Sequence, residues 1–216
     1  MQVQDGVTFH AELEFGACDV AAWYEHRRGK QLIHYGVSAG HIPNRVSVLS
    51  KPDQPHQPHS ADPHMLSTCF CCQSGTHLVS TDASQTAAIV ASIRAGVEAG
   101  ALGIGLGIAY TSAADHEEIY RVFQLGAKLQ VPLYIHHRGS FNDMTDFHEM
   151  YANAAASGCS LHLCHVNSSC SGKVNLPLVL EMMDDLNQQG IDVTAESYSY
   201  TAGMTRLDSG IFEPGI

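Results

Sequence analysis

The 216-residue chain predicts an α/β fold in which parallel strands are covered by helices outside. Three observations predict it. Short runs rich in Val, Ile, Leu and Tyr recur, and helical patterns follow them. The last four runs begin at Leu102, Val131, Cys159 and Ile191, spaced by 29, 28 and 32 residues, the length of a strand–helix unit returning to a parallel neighbour. Apolar residues make up 44% of the chain and charged residues 15%, against roughly 25% charged in ordinary domains. Strands this apolar are suited to being covered on both faces.

In order, the strands are read from Val7 (VTFHAELE), Gln31 (QLIHYGVS), Leu102 (LGIGLGIAY), Val131 (VPLYIHH), Cys159 (CSLHLCHV) and Ile191 (IDVTAESY). Among the helices, Thr86 to Ala99 is Ala-rich, with Ile89, Val90, Ile93 and Val97 apolar. Asp115 to Leu129 places Ile119, Val122, Phe123 and Leu125 on one face and opens on Asp115 and Glu118, the spacing of a capping box. Leu176 to Gln189 ends at Gly190, where a left-handed cap favours Gly. Residues 50–82 break the pattern. Pro52, Pro55, Pro58 and Pro63, four His and Cys69, Cys71 and Cys72 leave no strand or helix period, so the stretch reads as an insertion within one domain spanning 1–216. A closed barrel of eight units usually takes about 250 residues. Six units fit either an open six-stranded sheet or an incomplete TIM-like (β/α) barrel lacking units at its ends.

The net charge of −11 argues against nucleic acid, whose binders carry clustered basic surface; the one dense basic cluster is Arg27-Arg28-Gly29-Lys30. No run reaches the roughly 18 to 20 apolar residues of a membrane span, and the N-terminal residues show no export pattern. Seven cysteines in irregular spacing fit a reducing compartment better than a disulfide framework. Together these predict a cytoplasmic protein with neither nucleic-acid nor membrane partners.

In a parallel barrel, reactive side chains sit at the C-terminal ends of strands. Three such ends carry metal-ligand chemistry. Glu14 stands at the tip of the first strand. His136 and Arg138 share a face of the fourth by two-residue alternation. On the fifth, Leu161, Leu163, His165 and Asn167 share a face, which puts His137 and His162 on the opposite parity, outside the barrel. Two imidazoles and a carboxylate suit zinc or another borderline divalent ion; the alternative for each His is a satisfied core or loop residue.

The segments GVTFHAELEFG, WYEHRRGKQLIHYGVSAGHIPNR, GALGIGLGIAYT with HEEIYRVF, YIHHRG, LHLCHVNS and DVTAESYSYTAGMT follow one another in order. Together they resemble the amidohydrolase superfamily, in the branch of N-acyl-D-amino-acid deacylases and dihydroorotase-like hydrolases. The resemblance implies a metal-dependent β/α barrel, here its second to seventh strands, that hydrolyses an amide C–N bond other than a peptide bond. It implies that His136 and His165 are the ligands of the fifth and sixth barrel strands. Glu14 lies near the place of a bridging ligand, which in some members is a Cys, so Cys18 is a further candidate. Arg138, Asn167 and Tyr198 match positions around the substrate pocket, where a basic side chain and hydroxyls would hold the carboxylate of an N-acyl amino acid. The family's first-strand His-x-His pair and last-strand Asp have no counterpart in this chain. The resemblance therefore leaves the catalytic general base outside it and implies impaired turnover.

Other signals compete. Gly36-Val37-Ser38-Ala39-Gly40 fits the nucleophile elbow of a serine hydrolase, but His41-Ile42-Pro43-Asn44 predicts irregular sequence where an elbow needs a helix. His56, His59, His64, Cys69, Cys71, Cys72 and His77 suggest either a small zinc module or an incidental loop, the C-x-C-C spacing not being that of a structural finger. Gly103, Gly105 and Gly107 lie within a strand, where close barrel packing explains them better than a dinucleotide fingerprint. An incomplete barrel also leaves unpaired edges, which predicts either self-association or a non-catalytic truncated barrel.

Overall fold

The computed structural model describes residues 2–50, 79–138, 144–170 and 175–204. Six strands, β1 (Phe9–Ala17), β2 (His34–Gly40), β3 (Ile104–Gly107), β4 (Leu133–His136), β5 (Leu161–Leu163) and β6 (Val193–Ala195), form one sheet in chain order. Every pairing is parallel. The helices are α1 (Val20–Arg27), α2 (His41–Leu49), α3 (Ala83–Glu98), α4 (His116–Leu129), α5 (Thr145–Ser157), α6 (Val166–Ser169) and α7 (Leu176–Gln188). All six expected strands form, and the incomplete parallel barrel is the architecture observed; β1 and β6 do not pair with each other among the described residues. Residues 51–78, most of the expected insertion and all of its His and Cys, lie outside the described residues.

Alternation along the strands divides the two faces. Ile104, Leu106, Leu133, Ile135, Leu161, Leu163 and Val193 pack with Ile89 and Ile93 of α3, Ile119, Val122 and Phe123 of α4, Phe147 and Met150 of α5 and Val179 of α7. All are at most 2% exposed, and each such side chain contributes about 1.5–3 kcal/mol by leaving water. The other face is concave and polar, with Tyr134 and His136 on β4 and His162 on β5. The register sets Tyr134 beside His162 and Ile135 beside Leu163. His162 therefore shares the face of His136, and the expectation that it lies outside the barrel is corrected; His162 bonds Thr194 Oγ1 at 2.9 Å on that face. The error came from extending strand parity beyond Leu163, where β5 stops. His137 does point outward, packing on Phe147 beside Asp146.

Local signals explain most helix ends. Asp82 and Gln85 form a reciprocal capping box at α3, which begins at Ala83 instead of Thr86. Past α7, Gly190 takes φ 86° and the Ile191 N–H returns to the Leu186 carbonyl at 3.0 Å, closing the helix as the sequence predicts. Two expectations are corrected. α2 starts immediately after β2, because Pro43 falls in its first turn, where a missing N–H costs nothing. The box at α4 is half made: Asp115 accepts from the Glu118 N–H at 2.8 Å, but the Glu118 side chain turns into the interior.

There Glu118 Oε1 meets His41 Nε2 at 2.6 Å and Arg45 Nε at 3.0 Å, and Oε2 accepts from Thr81 at 2.8 Å. The His41, Arg45 and Glu118 side chains are at most 1% exposed. The network ties α2, α4 and the approach to α3 together. Burial alone would raise the Glu118 carboxyl, but the hydrogen bond and charge of His41, the charge of Arg45 and the Thr81 hydroxyl outweigh it and hold it below its ordinary 4.5. A depressed carboxyl stabilises the fold above its unfolded value and loses that contribution as pH falls through the folded one. Glu118→Gln is therefore expected to cost about 3–5 kcal/mol at pH 7, since Arg45 stays buried without its carboxylate. Urea midpoints at pH 7 and pH 4 check this: acidification should destabilise the parent more than the variant.

Candidate metal centre

β1 and β5 are four strand spacings apart, roughly 19 Å in a flat sheet. The Glu14 carboxylate nevertheless touches a side chain from the end of β4 and another just beyond β5, so the sheet curls and β1 folds inward. The inward fold is visible in the register. From Glu12 to Ala17 β1 advances five residues while β2 advances two, from Val37 to Ala39, so β1 bulges between them. Gly16 sits in the bulge at φ 67°, and Ser38 Oγ donates to the Leu13 carbonyl at 2.6 Å. On the far side the bulge rests on Gly105, where an added Cβ would lie 2.4 Å from Leu13 O and 2.6 Å from Glu14 O. The glycines of β3 thus serve close packing. β1, expected to end at Glu14, runs on to Ala17; it is this bulge that aims the carboxylate.

Glu14 Oε1 lies 3.2 Å from His136 Nδ1, and Oε2 lies 3.1 Å from His165 Nε2. The imidazoles meet edge to face with centroids 4.6 Å apart. One ligand atom from each of the three residues falls within 4.8 Å of the other two. Side-chain exposures of 13–20% leave the cluster reachable from solvent. His136 is the last residue of β4, which stops short of the expected His137 and Arg138. His165 arrives differently: β5 ends at Leu163, and a left-handed residue, φ 36°, turns the chain into α6. The alternation expected to carry His165 and Asn167 is replaced by that turn. Tyr110 packs on His136 with centroids 5.1 Å apart, and Phe15 packs on Tyr110 at 5.3 Å, forming an apolar wall on one side.

Burial alone would raise the Glu14 carboxyl, but hydrogen bonds from and the charges of His136 and His165 override it and hold it at about 2. Burial pushes His136 below its usual value, more than Glu14 raises it. For His165 burial is again the largest single effect, yet the hydrogen bond and charge of Glu14, the ring's bond to its own backbone carbonyl and the charge of Glu196 outweigh it, and the imidazole is raised. The donor set of one ionised carboxylate and two ring nitrogens, converging from three segments on a partly open point, fits a divalent ion such as zinc.

The remaining candidates separate. Cys18 Sγ bonds Asn44 Oδ1 at 3.3 Å, apart from the cluster. Arg138 grips Glu149 at 2.7 and 3.0 Å and the Ala114 carbonyl at 2.8 Å. Asn167 Nδ2 donates to the Tyr198 carbonyl at 3.2 Å, and its Oδ1 is buried with no hydrogen-bond partner among the described residues. The half-buried Tyr198 ring faces Tyr200. Ser38 does precede a helix, but it lies inside β2, fully buried and bonded to a backbone carbonyl, which is not the exposed hydroxyl of a nucleophile elbow. Sequence reasoning missed His41 and Arg45, whose i, i+4 spacing places both on one helix face.

No protein-family model and no curated protein matches the chain. Solved structures do. An N-acyl-D-glutamate deacylase from Bordetella bronchiseptica, complexed with zinc and a phosphonate mimic of the tetrahedral intermediate, superposes with TM-score 0.69 at 17% identity, over 92% of this chain and 43% of that one. A D-aminoacylase described as defining a novel subset of amidohydrolases gives 0.69 at 16% identity, over 93% and 43%. A D-aminoacylase studied for its binuclear metal centre gives 0.61 at 18%, over 86% and 35%. The chain spans less than half the length of these structures. By its fold, six parallel strands curled into an unclosed barrel, it is similar to the TIM-barrel amidohydrolases.

Proposed function

We propose that this chain carries the ion-binding part of a metal-dependent amidohydrolase that cleaves the amide bond of an N-acyl amino acid, N-acyl-D-amino acids above all. The observation that carries the reading is the meeting of Glu14, His136 and His165 at the C-terminal rim of a parallel sheet. Its support is the likeness to the deacylase and D-aminoacylase structures. Zinc is the ion proposed, and when bound it would polarise a carbonyl and bring a water toward pKa 7. The chain's own groups hold and orient. Glu14 supplies negative charge, and its two imidazoles supply neutral nitrogen donors once deprotonated. Asn167 Oδ1, buried and without a hydrogen-bond partner among the described residues, is proposed as the partner of a substrate amide N–H, with Tyr198, whose backbone carbonyl accepts from Asn167 Nδ2, as a second substrate contact. Arg138 was expected to hold a substrate carboxylate; to do so it would exchange Glu149 of α5 for substrate.

Purified protein is expected to bind one zinc per chain, read by elemental analysis and titration. Failure to take up zinc would end this reading. Because the resemblance implies a general base that is not among these 216 residues, their hydrolysis of N-acyl-D-amino acids on their own is expected to fall about 10²–10⁴-fold short of a complete site. The cytoplasmic setting proposed for the chain rests on the irregular spacing of its seven cysteines. Among the described residues, no helix is long and apolar enough to cross a membrane. β1 and β6 each pair on one side among the described residues, and that supports self-association through sheet edges.

A further inference from the structure

His165 is held at both ring nitrogens. Nε2 faces Glu14, and on the opposite side the Ser168 hydroxyl, one turn along α6, stands 3.1 Å from Nδ1 and 3.0 Å from the His165 carbonyl oxygen. A hydroxyl has one proton to give. The carbonyl can only accept, so the Ser168 proton goes there, and toward Nδ1 the oxygen is left as an acceptor. Nδ1 then keeps its own proton, and the proton that an ion would displace is the one Nε2 donates to Glu14 Oε2. A serine bonded to the carbonyl three residues back is ordinary in a helix. The second contact, to the ring itself, is what gives this one a bearing on chemistry.

Resting on the metal reading above, we propose that Ser168 is a positioning residue: it fixes His165 in the Nδ1–H form and holds the ring so that Nε2 points at the ion site. Removing such outer partners of a ligating His typically weakens metal binding about 10–100-fold. Ser169 Oγ, 3.5 Å from Nδ1, is too far to take over.

Zinc affinity of the 216-residue chain, measured by chelator competition, and side-chain nitrogen NMR of the zinc-loaded protein test this. Ser168→Ala is expected to weaken zinc binding about 10–100-fold while the circular dichroism spectrum and urea midpoint stay at parent values. Ser168→Thr, which keeps the hydroxyl, should restore binding, and Ser169→Ala should leave it unchanged. The loaded parent should show the His165 proton on Nδ1. Parent-like affinity in Ser168→Ala, or a proton on Nε2 of the loaded parent, overturns the role of Ser168 and leaves the metal site standing. A parent that takes up no zinc overturns both.

Discussion

Gly105→Ala is expected to abolish tight zinc binding and to destabilise the chain, although residue 105 is no ligand. A methyl group at this position would meet Leu13 O at 2.4 Å, Glu14 O at 2.6 Å and Ser38 Oγ at 2.6 Å. The first two are backbone atoms of the β1 bulge, and the third is fixed by its bond to Leu13 O. None is the end of a flexible side chain, so the bulge itself must lift. Overpacking of this kind costs about 1–3 kcal/mol. The larger effect falls on the site, because the carbonyls that move belong to Glu14 and its neighbour. Functional geometry tolerates displacement of only about 0.5 Å, less than the shift required to reach ordinary contact distance. Urea unfolding and zinc titration check both arms. A Gly105→Ala chain with parent stability and parent affinity would show that the bulge is not set by the glycine beneath it.

That dependence explains where sequence reasoning stopped. The strands β3 to β6 were legible because their buried sides are Ile, Leu and Val, and a run such as Leu133-Tyr134-Ile135 reads the same in isolation as in the sheet. His136 was legible for the same reason, being the last residue of a regular strand. Glu14 meets the two imidazoles by a geometry other than the strand tip expected: it sits in an irregular bulge whose shape depends on Gly105, some ninety residues away by the numbering. His165 and His162 show the limit of alternation. Periodicity assigns faces only while a strand lasts, and β5 lasts three residues. The polar network of His41, Arg45 and Glu118 was invisible because Arg and Glu are usually at the surface, and Glu118 carried a competing local explanation as half of a capping box. Arg138 reads from sequence as a cation awaiting an anion, and only packing reveals that Glu149 already fills that place.

Glu14→Gln is expected to lower zinc affinity by more than the roughly 10–100-fold that loss of an outer partner costs, and to change how affinity depends on pH. In the parent, the Glu14 carboxyl lies at about 2 and stays ionised at every pH where the protein is handled, so it adds no slope near neutrality. His136 lies below its usual 6.5 because of burial and is already deprotonated there. His165 is the group that competes. Burial alone would lower it, but Glu14 raises it, so zinc must displace a proton that persists above pH 6.5. Affinity in the parent should therefore climb as pH rises past 6.5 and level off only above the raised value. In the Gln variant the largest cause of the rise is gone, although the ring's bond to its own backbone carbonyl and the charge of Glu196 remain, and the climb should move to lower pH. Stability without metal follows the same signs. Glu14, depressed from 4.5, contributes above that value and loses its contribution as pH falls toward 2; His165, raised, contributes below 6.5 and loses its contribution as pH rises through the folded value. The variant should flatten both flanks of the parent's stability profile. A Glu14→Gln chain that keeps the parent's affinity and pH profile would remove the carboxylate from the site and with it the convergence on which the ion assignment stands.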